Sequence, residues 1–247
     1  MEEDIRYYFT ARIAGKLFRI ETFGKQAART CKGYFEKGQP EIEISIWQED
    51  IDRERAEEAR FTPGIHSSDG YLEELAVHRK IAEEMLAYNT FLMHGAAVAD
   101  GEGAYLFTAP SGTGKTTHIK KWLENLPGAY VVNGDKPLVE ITAERAIVHG
   151  TPWCGKEKLG CNGKAPLRAV VLQQRGEENR MEEITFGAAL PTLLRQSYRP
   201  DDPEKMKKTL SLLAELGKRV RFFHFTCNNL KPDAFQVAYD ALHRKNK

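Results

Sequence analysis

The chain has 247 residues, 41% hydrophobic and 29% charged, which is apolar enough for a sizeable buried core and argues against a disordered chain. Lysine plus arginine (36) nearly balances aspartate plus glutamate (35), and the net charge of +1 argues against a nucleic-acid stripe or a polybasic membrane anchor. No apolar run approaches the ~20 residues of a membrane span. The acidic Met-Glu-Glu-Asp start is unlike a signal peptide, and Cys31, Cys154, Cys161 and Cys227 form no C-x-x-C pair. These features predict reduced thiols, no zinc, no nucleic acid, no membrane and a cytoplasmic location.

Residues 4–22 read as two strands joined near Gly15, with Ile5, Tyr7 and Phe9 alternating before Leu17, Phe18 and Ile20. Glu41–Trp47 is the cleanest alternation in the chain, a strand with one buried face. Residues 50–60 are charged enough to be a solvated helix or loop. Ser67-Ser-Asp-Gly70 offers helix caps, and Leu72, Leu75, Ile81, Ala82, Met85 and Leu86 make an apolar face from Tyr71 to Tyr88. This predicts a small α+β extension over 1–88, packed on the rest because no Pro/Gly/Ser-rich tether separates them.

From Thr90 the pattern changes. Phe91–Ala99 reads as one strand containing His94-Gly95, Gly101-Glu-Gly103 as a turn, and Ala104–Ala109 as a buried strand. Ala109-Pro-Ser-Gly-Thr-Gly-Lys-Thr-Thr117 then fits the P-loop pattern G-x-x-x-x-G-K-[ST], with Ala109 in place of the first glycine. Gly112 and Gly114 allow the loop after Pro110 to curl so that N–H groups of Ser111, Gly112, Thr113, Gly114 and Lys115 point toward a polyphosphate. Lys115 brings a cation to the outer phosphates, the Thr116 hydroxyl can ligate Mg²⁺, and Thr117 continues into the helix. Ile119, Trp122, Leu123 and Leu126 give that helix an apolar face, ended by Pro127-Gly128, and its positive end adds to the anion site. On this chemistry Lys115 should stand exposed toward ligand.

Tyr130–Asp135 reads as a strand ending in a carboxylate, and Leu138–Thr142 and Ala146–His149 as further strands. Gly150–Pro166 is long, rich in glycine and lysine, and aperiodic. Leu167–Gln173 is a strand, Asp201-Asp-Pro203 opens a helix closed by Gly217, Val220–Cys227 is a strand, and Pro232–Arg244 a last helix.

His94-Gly95, the glycine turn, Ala109–Thr117 and the strand ending at Asp135 together resemble the HPr kinase/phosphorylase family, whose P-loop fold is shared with the phosphoenolpyruvate carboxykinases. The likeness covers residues 91–142, about a fifth of the chain. It implies an α/β fold with a mixed sheet carrying the P-loop, over residues 89–247. It also implies ATP as phosphoryl donor, Mg²⁺ held by Thr116 and Asp135, and catalytic roles for Asp135, Lys115 and His94. The acceptor would be a hydroxyl of a protein or peptide serine or of a small metabolite, and an assembly of several copies is compatible with the sequence.

Two departures from the family stand out. Its signature loop is absent, which puts the phosphocarrier protein in doubt as acceptor. The family's paired aspartates are replaced by Asn133-Gly134-Asp135-Lys136, whose one carboxylate aligns in either of two registers. Loss of that second aspartate leaves a nucleotide-binding accessory protein as the alternative to a kinase. Lys156, Lys158 and Lys164 in the glycine-rich loop, and Arg195 and Arg199 after it, are further candidates for an anionic group.

Overall fold

The structure, a computed structural model, describes residues 6–244, so the reading of Ile5 lies outside the described residues. The chain divides into two compact units, Met1–Met85 and Leu86–Lys247.

In the first unit β1 (Tyr7–Ile13) and β2 (Lys16–Thr22) form an antiparallel hairpin, and β3 (Ile42–Ser45) joins β2 in parallel. The hairpin turn places both Ala14 (φ +47°) and Gly15 (φ +82°) in the left-handed region, the twist two-residue hairpins favour. In β3, Ile42 and Ile44 are buried while Glu43 is exposed, as the alternation requires. Helices α1 (Gln26–Thr30), α2 (Gln48–Phe61) and α3 (Asp69–Glu84) complete the unit. Ser68 caps α3, its Oγ accepting from Tyr71 N. The charged run 50–60 is helical, and part of it is not solvated. Asp50 and Glu54 of α2 hold the buried Arg79 of α3 at 3.0 and 2.6 Å.

The second unit carries β4 (Thr90–Leu92), β5 (Ala96–Ala99), β6 (Ala104–Thr108), α4 (Lys115–Asn125), β7 (Tyr130–Asn133), β8 (Leu138–Ile141) and β9 (Ala146–His149). After these come β10 (Lys164–Arg175), β11 (Arg180–Ile184), α5 (Phe186–Gln196), α6 (Pro203–Leu216), β12 (Arg221–Cys227) and α7 (Ala234–His243). Its strands form one curled mixed sheet in the order β4-β8-β9-β10-β6-β5-β7, with β12 also paired to β10 and β11 to β12. The curl follows from β10, which pairs β9 through Lys164–Pro166 and β12 from Ala169 onward. Helices cover both faces. Leu193, Leu212, Leu213 and Leu216 of α5 and α6 pack with Leu106, Val170 and Leu172. On the other face Ile119 and Trp122 of α4 and Phe235, Ala238 and Leu242 of α7 pack with Phe107, Val171, Phe223 and Phe225. The result is a mixed α/β fold.

Several elements differ from the sequence reading, β7 among them, which ends at Asn133 rather than Asp135. The expected strand 91–99 breaks at Met93–Gly95, where the chain leaves β8 for β6 and a Cβ on Gly95 would stand 2.9 Å from Phe107 O. β10 starts at Lys164 rather than Leu167. β11 and α5 lie in a stretch whose sequence predicts neither. α5 contains Pro191, and β11, paired only to β12, buries none of its residues fully. Among the described residues no helix is long and apolar enough to cross a membrane.

Candidate functional site

The C-terminal ends of β6, β7, β10 and β12 and the start of β5 meet at one edge of the sheet, because β6, β10 and β12 run parallel and β5 runs antiparallel to both β6 and β7. In open α/β sheets the crevice beyond the strand C-termini is where ligands bind. The topology delivers three sequence candidates there: the glycine loop after β6, Asp135 after β7 and His94 before β5.

In the loop, Gly112 (φ +77°) and Gly114 (φ +99°) adopt the left-handed conformation that residues with side chains avoid. Gly114 is the N-cap of α4 and supplies no side-chain acceptor, so the first-turn amides have no cap from it. Ser111 and Thr117 are exposed, Thr113 and Thr116 half-buried, and the Thr113 hydroxyl donates to Pro110 O at 2.8 Å. Lys115 departs from expectation. It is 7% exposed, and its Nζ donates to Ala109 O (2.7 Å) and Pro110 O (3.2 Å). The ammonium thereby satisfies two main-chain carbonyls of the loop. Burial lowers its pKa, with Asp135 acting to raise it and Lys136 to lower it.

The loop is anchored by side chains from distant strands. Arg175 of β10 donates to Gly112 O, and Asn229, just past β12, donates from Nδ2 to Gly114 O at 3.1 Å. Asn229 Oδ1 lies 3.3 Å from His118 Nδ1, and His118 Nε2 accepts from Trp122 Nε1 at 3.2 Å. The indole N–H is donor only, so the neutral ring carries its proton on Nδ1 and donates it to Asn229. A continuous path thus runs from the core of α4 to its N-cap.

Asp135 is set by its neighbour Asn133, which is fully buried. Asn133 Oδ1 accepts from the amides of Asp135 (2.9 Å) and Lys136 (2.7 Å), and its Nδ2 donates to Thr151 O and Oγ1, both at 3.0 Å. This Asx turn fixes the direction in which the Asp135 side chain leaves the strand. His94 Nε2 stands 3.3 Å from Asp135 Oδ1, while Nδ1 is 2.8 Å from Gln196 Oε1. Thr108 Oγ1 donates to His94 O at 2.7 Å and ties this histidine to the end of β6. Burial alone would raise the Asp135 pKa. The His94 hydrogen bond and the charges of Lys136, His94 and Lys115 outweigh it, so the carboxyl sits below the usual range.

Gly134 packs tightly under the turn that follows β9. A Cβ there would lie 2.8 Å from Cys154 O and 2.9 Å from Leu159 O, both main-chain atoms of the turn that covers this strand end. Position 134 faces that turn, and a side chain there would have to displace the turn or the strand end. The turn itself is fastened by a bridge between Gly160 and Asn133 and by Lys136 N donating to Trp153 O.

The structure therefore brings Lys115, Asp135 and His94 together, and adds Lys136, Gln196, Asn133 and Asn229. The last three carry no local signal, since their partners are distant in sequence or main-chain. Lys156 and Lys158 are exposed on the covering turn. Lys164 opens β10, eight residues and roughly 25 Å of strand before Leu172, which pairs with Thr108. Arg195 is exposed and bonds Thr192 on its own helix, and Arg199 is exposed; between them Gln196 is the residue that reaches His94.

A cleft of about 880 Å³ opens at the opposite edge, beside Arg168, Arg219 and Arg221. There Arg219 and Arg221 are held by Glu215 and Glu183, and Arg168 donates to Glu102 O. Among the described residues no group of three His, Cys, Asp or Glu side chains could hold a metal unaided. The two residues the sequence offers for a metal, Asp135 after β7 and Thr116 on the first turn of α4, are both half-buried. No model of a known protein family matches the chain, and no curated protein matches it.

Proposed function

We propose that this chain is an Mg²⁺-dependent kinase of the HPr kinase/phosphoenolpyruvate carboxykinase type, with the glycine loop as its P-loop and ATP as donor to a hydroxyl acceptor. One observation supports the reading above all: the glycine loop, with Gly112 and Gly114 left-handed and the N-terminus of α4 uncapped, stands with Asp135 at the carboxyl edge of the sheet.

In this reading the loop amides hold the phosphates, and Lys115 exchanges the Ala109 and Pro110 carbonyls for a phosphate oxygen. When bound, Mg²⁺ supplies neutralising charge to the phosphate chain. Thr116 and Asp135 hold that ion, and His94, held in turn by Gln196, positions Asp135. The transfer forms a bond from the acceptor oxygen to the terminal phosphorus and breaks the bond to the bridging oxygen; the acceptor's proton passes to water while Asp135 holds the ion, or to Asp135 where it acts as the base. A carboxylate held below its usual pKa is a weak base and a good metal ligand, so the metal role dominates.

Incubation with Mg-ATP and a panel of serine peptides and hydroxylated metabolites tests the reading. Phosphoryl transfer by the wild type is expected. Asp135→Asn should weaken Mg-dependent ATP binding at least about tenfold while leaving metal-free binding nearly unchanged. Intact binding with a rate lowered ~10²–10⁴-fold would assign Asp135 as base instead. The second reading, an accessory protein that binds nucleotide without turnover, draws on the single carboxylate left by Gly134. Binding without transfer to any acceptor would favour it.

A further inference from the structure

Gln173 lies near the end of β10, one residue past the Leu172–Thr108 pair that closes the β10–β6 ladder. By strand alternation it shares a face with Ala169 and Val171, the face covered by α4. It is 4% exposed, and neither its Oε1 nor its Nε2 has a hydrogen-bond partner. Its Nε2 would be 3.9 Å from a Cβ placed on Gly114, the N-cap of α4. Two residues on, along the same side of β10, Arg175 donates to Gly112 O. β10 thus addresses the glycine loop at two points, one engaged and one unengaged.

A buried amide with no partner is costly, and a leucine or methionine of similar volume would fill the space without that cost. We infer that Gln173 is a binding residue whose Nε2 donates to the phosphate chain of the ligand once the loop is filled. The inference rests on the reading of the loop as a polyphosphate site. The amide lies beside Gly114 at the helix N-cap, where phosphates gather, so the contact belongs to the phosphates and not to the base.

The test titrates ATP and tripolyphosphate, with Mg²⁺, into the full-length wild type, Gln173→Leu and Gln173→Met, and records unfolding temperatures without ligand. Both variants should fold with unfolding temperatures equal to or above that of the wild type. Both should bind ATP and tripolyphosphate about tenfold more weakly, in parallel. Unchanged affinity in a folded variant would overturn the inference. So would a loss confined to ATP, which would move the contact to the nucleoside, or a lowered unfolding temperature in both variants, which would make the amide structural. A wild type that binds neither probe would overturn the polyphosphate reading itself, and this inference with it.

Discussion

His118 lies beneath the glycine loop between the rings of Phe107 and Phe225, fully buried, with its neutral form fixed by Trp122 on one side and Asn229 on the other. Burial pushes its pKa from 6.5 down to about 4, against a smaller upward pull from Asn229. The unfolded chain therefore binds a proton at His118 that the folded chain refuses between those two values. Stability is greatest above pH 6.5 and falls as the pH drops toward 4, by about 3 kcal/mol from this group. Denaturant unfolding at a series of pH values should show that slope, and His118→Gln should flatten it; an equally steep slope in the variant would remove His118 as its cause. Lys115, Asp135 and His94 are legible in the sequence because spacing and residue type mark them. His118 and Asn229 are not, because they meet each other across 111 positions, and Gln173 is not, because only the fold brings it beside Gly114.

The covering turn after β9 is the element on which the site's geometry depends. Its main-chain carbonyls at Cys154 and Leu159 press on Gly134, so Gly134→Ala must displace the turn or the strand end. We expect a loss of about 1–3 kcal/mol in unfolding free energy, with Mg-dependent binding weakened because Asp135 shifts too. Gly101→Ala, where an added Cβ meets nothing within 4 Å, serves as the control. Equal stability in the two variants would contradict this packing. Elements with a strong period and clear caps were readable: the hairpin around Gly15, the helix opened by Asp202-Pro203, and the run from β6 through the glycine loop to α4. Those that failed had a local signal opposed by the fold. Pro191 argues against α5, which tertiary packing of Leu193 nonetheless holds, and β11 has too little burial to alternate. The break at His94-Gly95 is invisible locally, since the approach of Phe107 O demands it.

At the scale of the molecule, every residue placed in the candidate site belongs to the unit Leu86–Lys247, whose mixed sheet was legible as an α/β class but not in strand order. Order depends on pairings such as β10 with both β6 and β12, which no local pattern encodes. The sequence boundary at 88/89 falls three residues from the division at 85/86. The central claim is that the glycine loop holds the phosphates of a nucleotide, and calorimetric titration of the full chain with ATP and Mg²⁺ tests it most directly, with Lys115→Ala as comparison. Because Lys115 is buried and bonded to two loop carbonyls, the variant should lose about 1–3 kcal/mol of stability, more than an exposed lysine would, yet remain folded. Saturable one-to-one binding by the wild type, weakened at least about tenfold in the folded variant, is the predicted result. No binding by the wild type, or equal affinity in a folded Lys115→Ala protein, would contradict it.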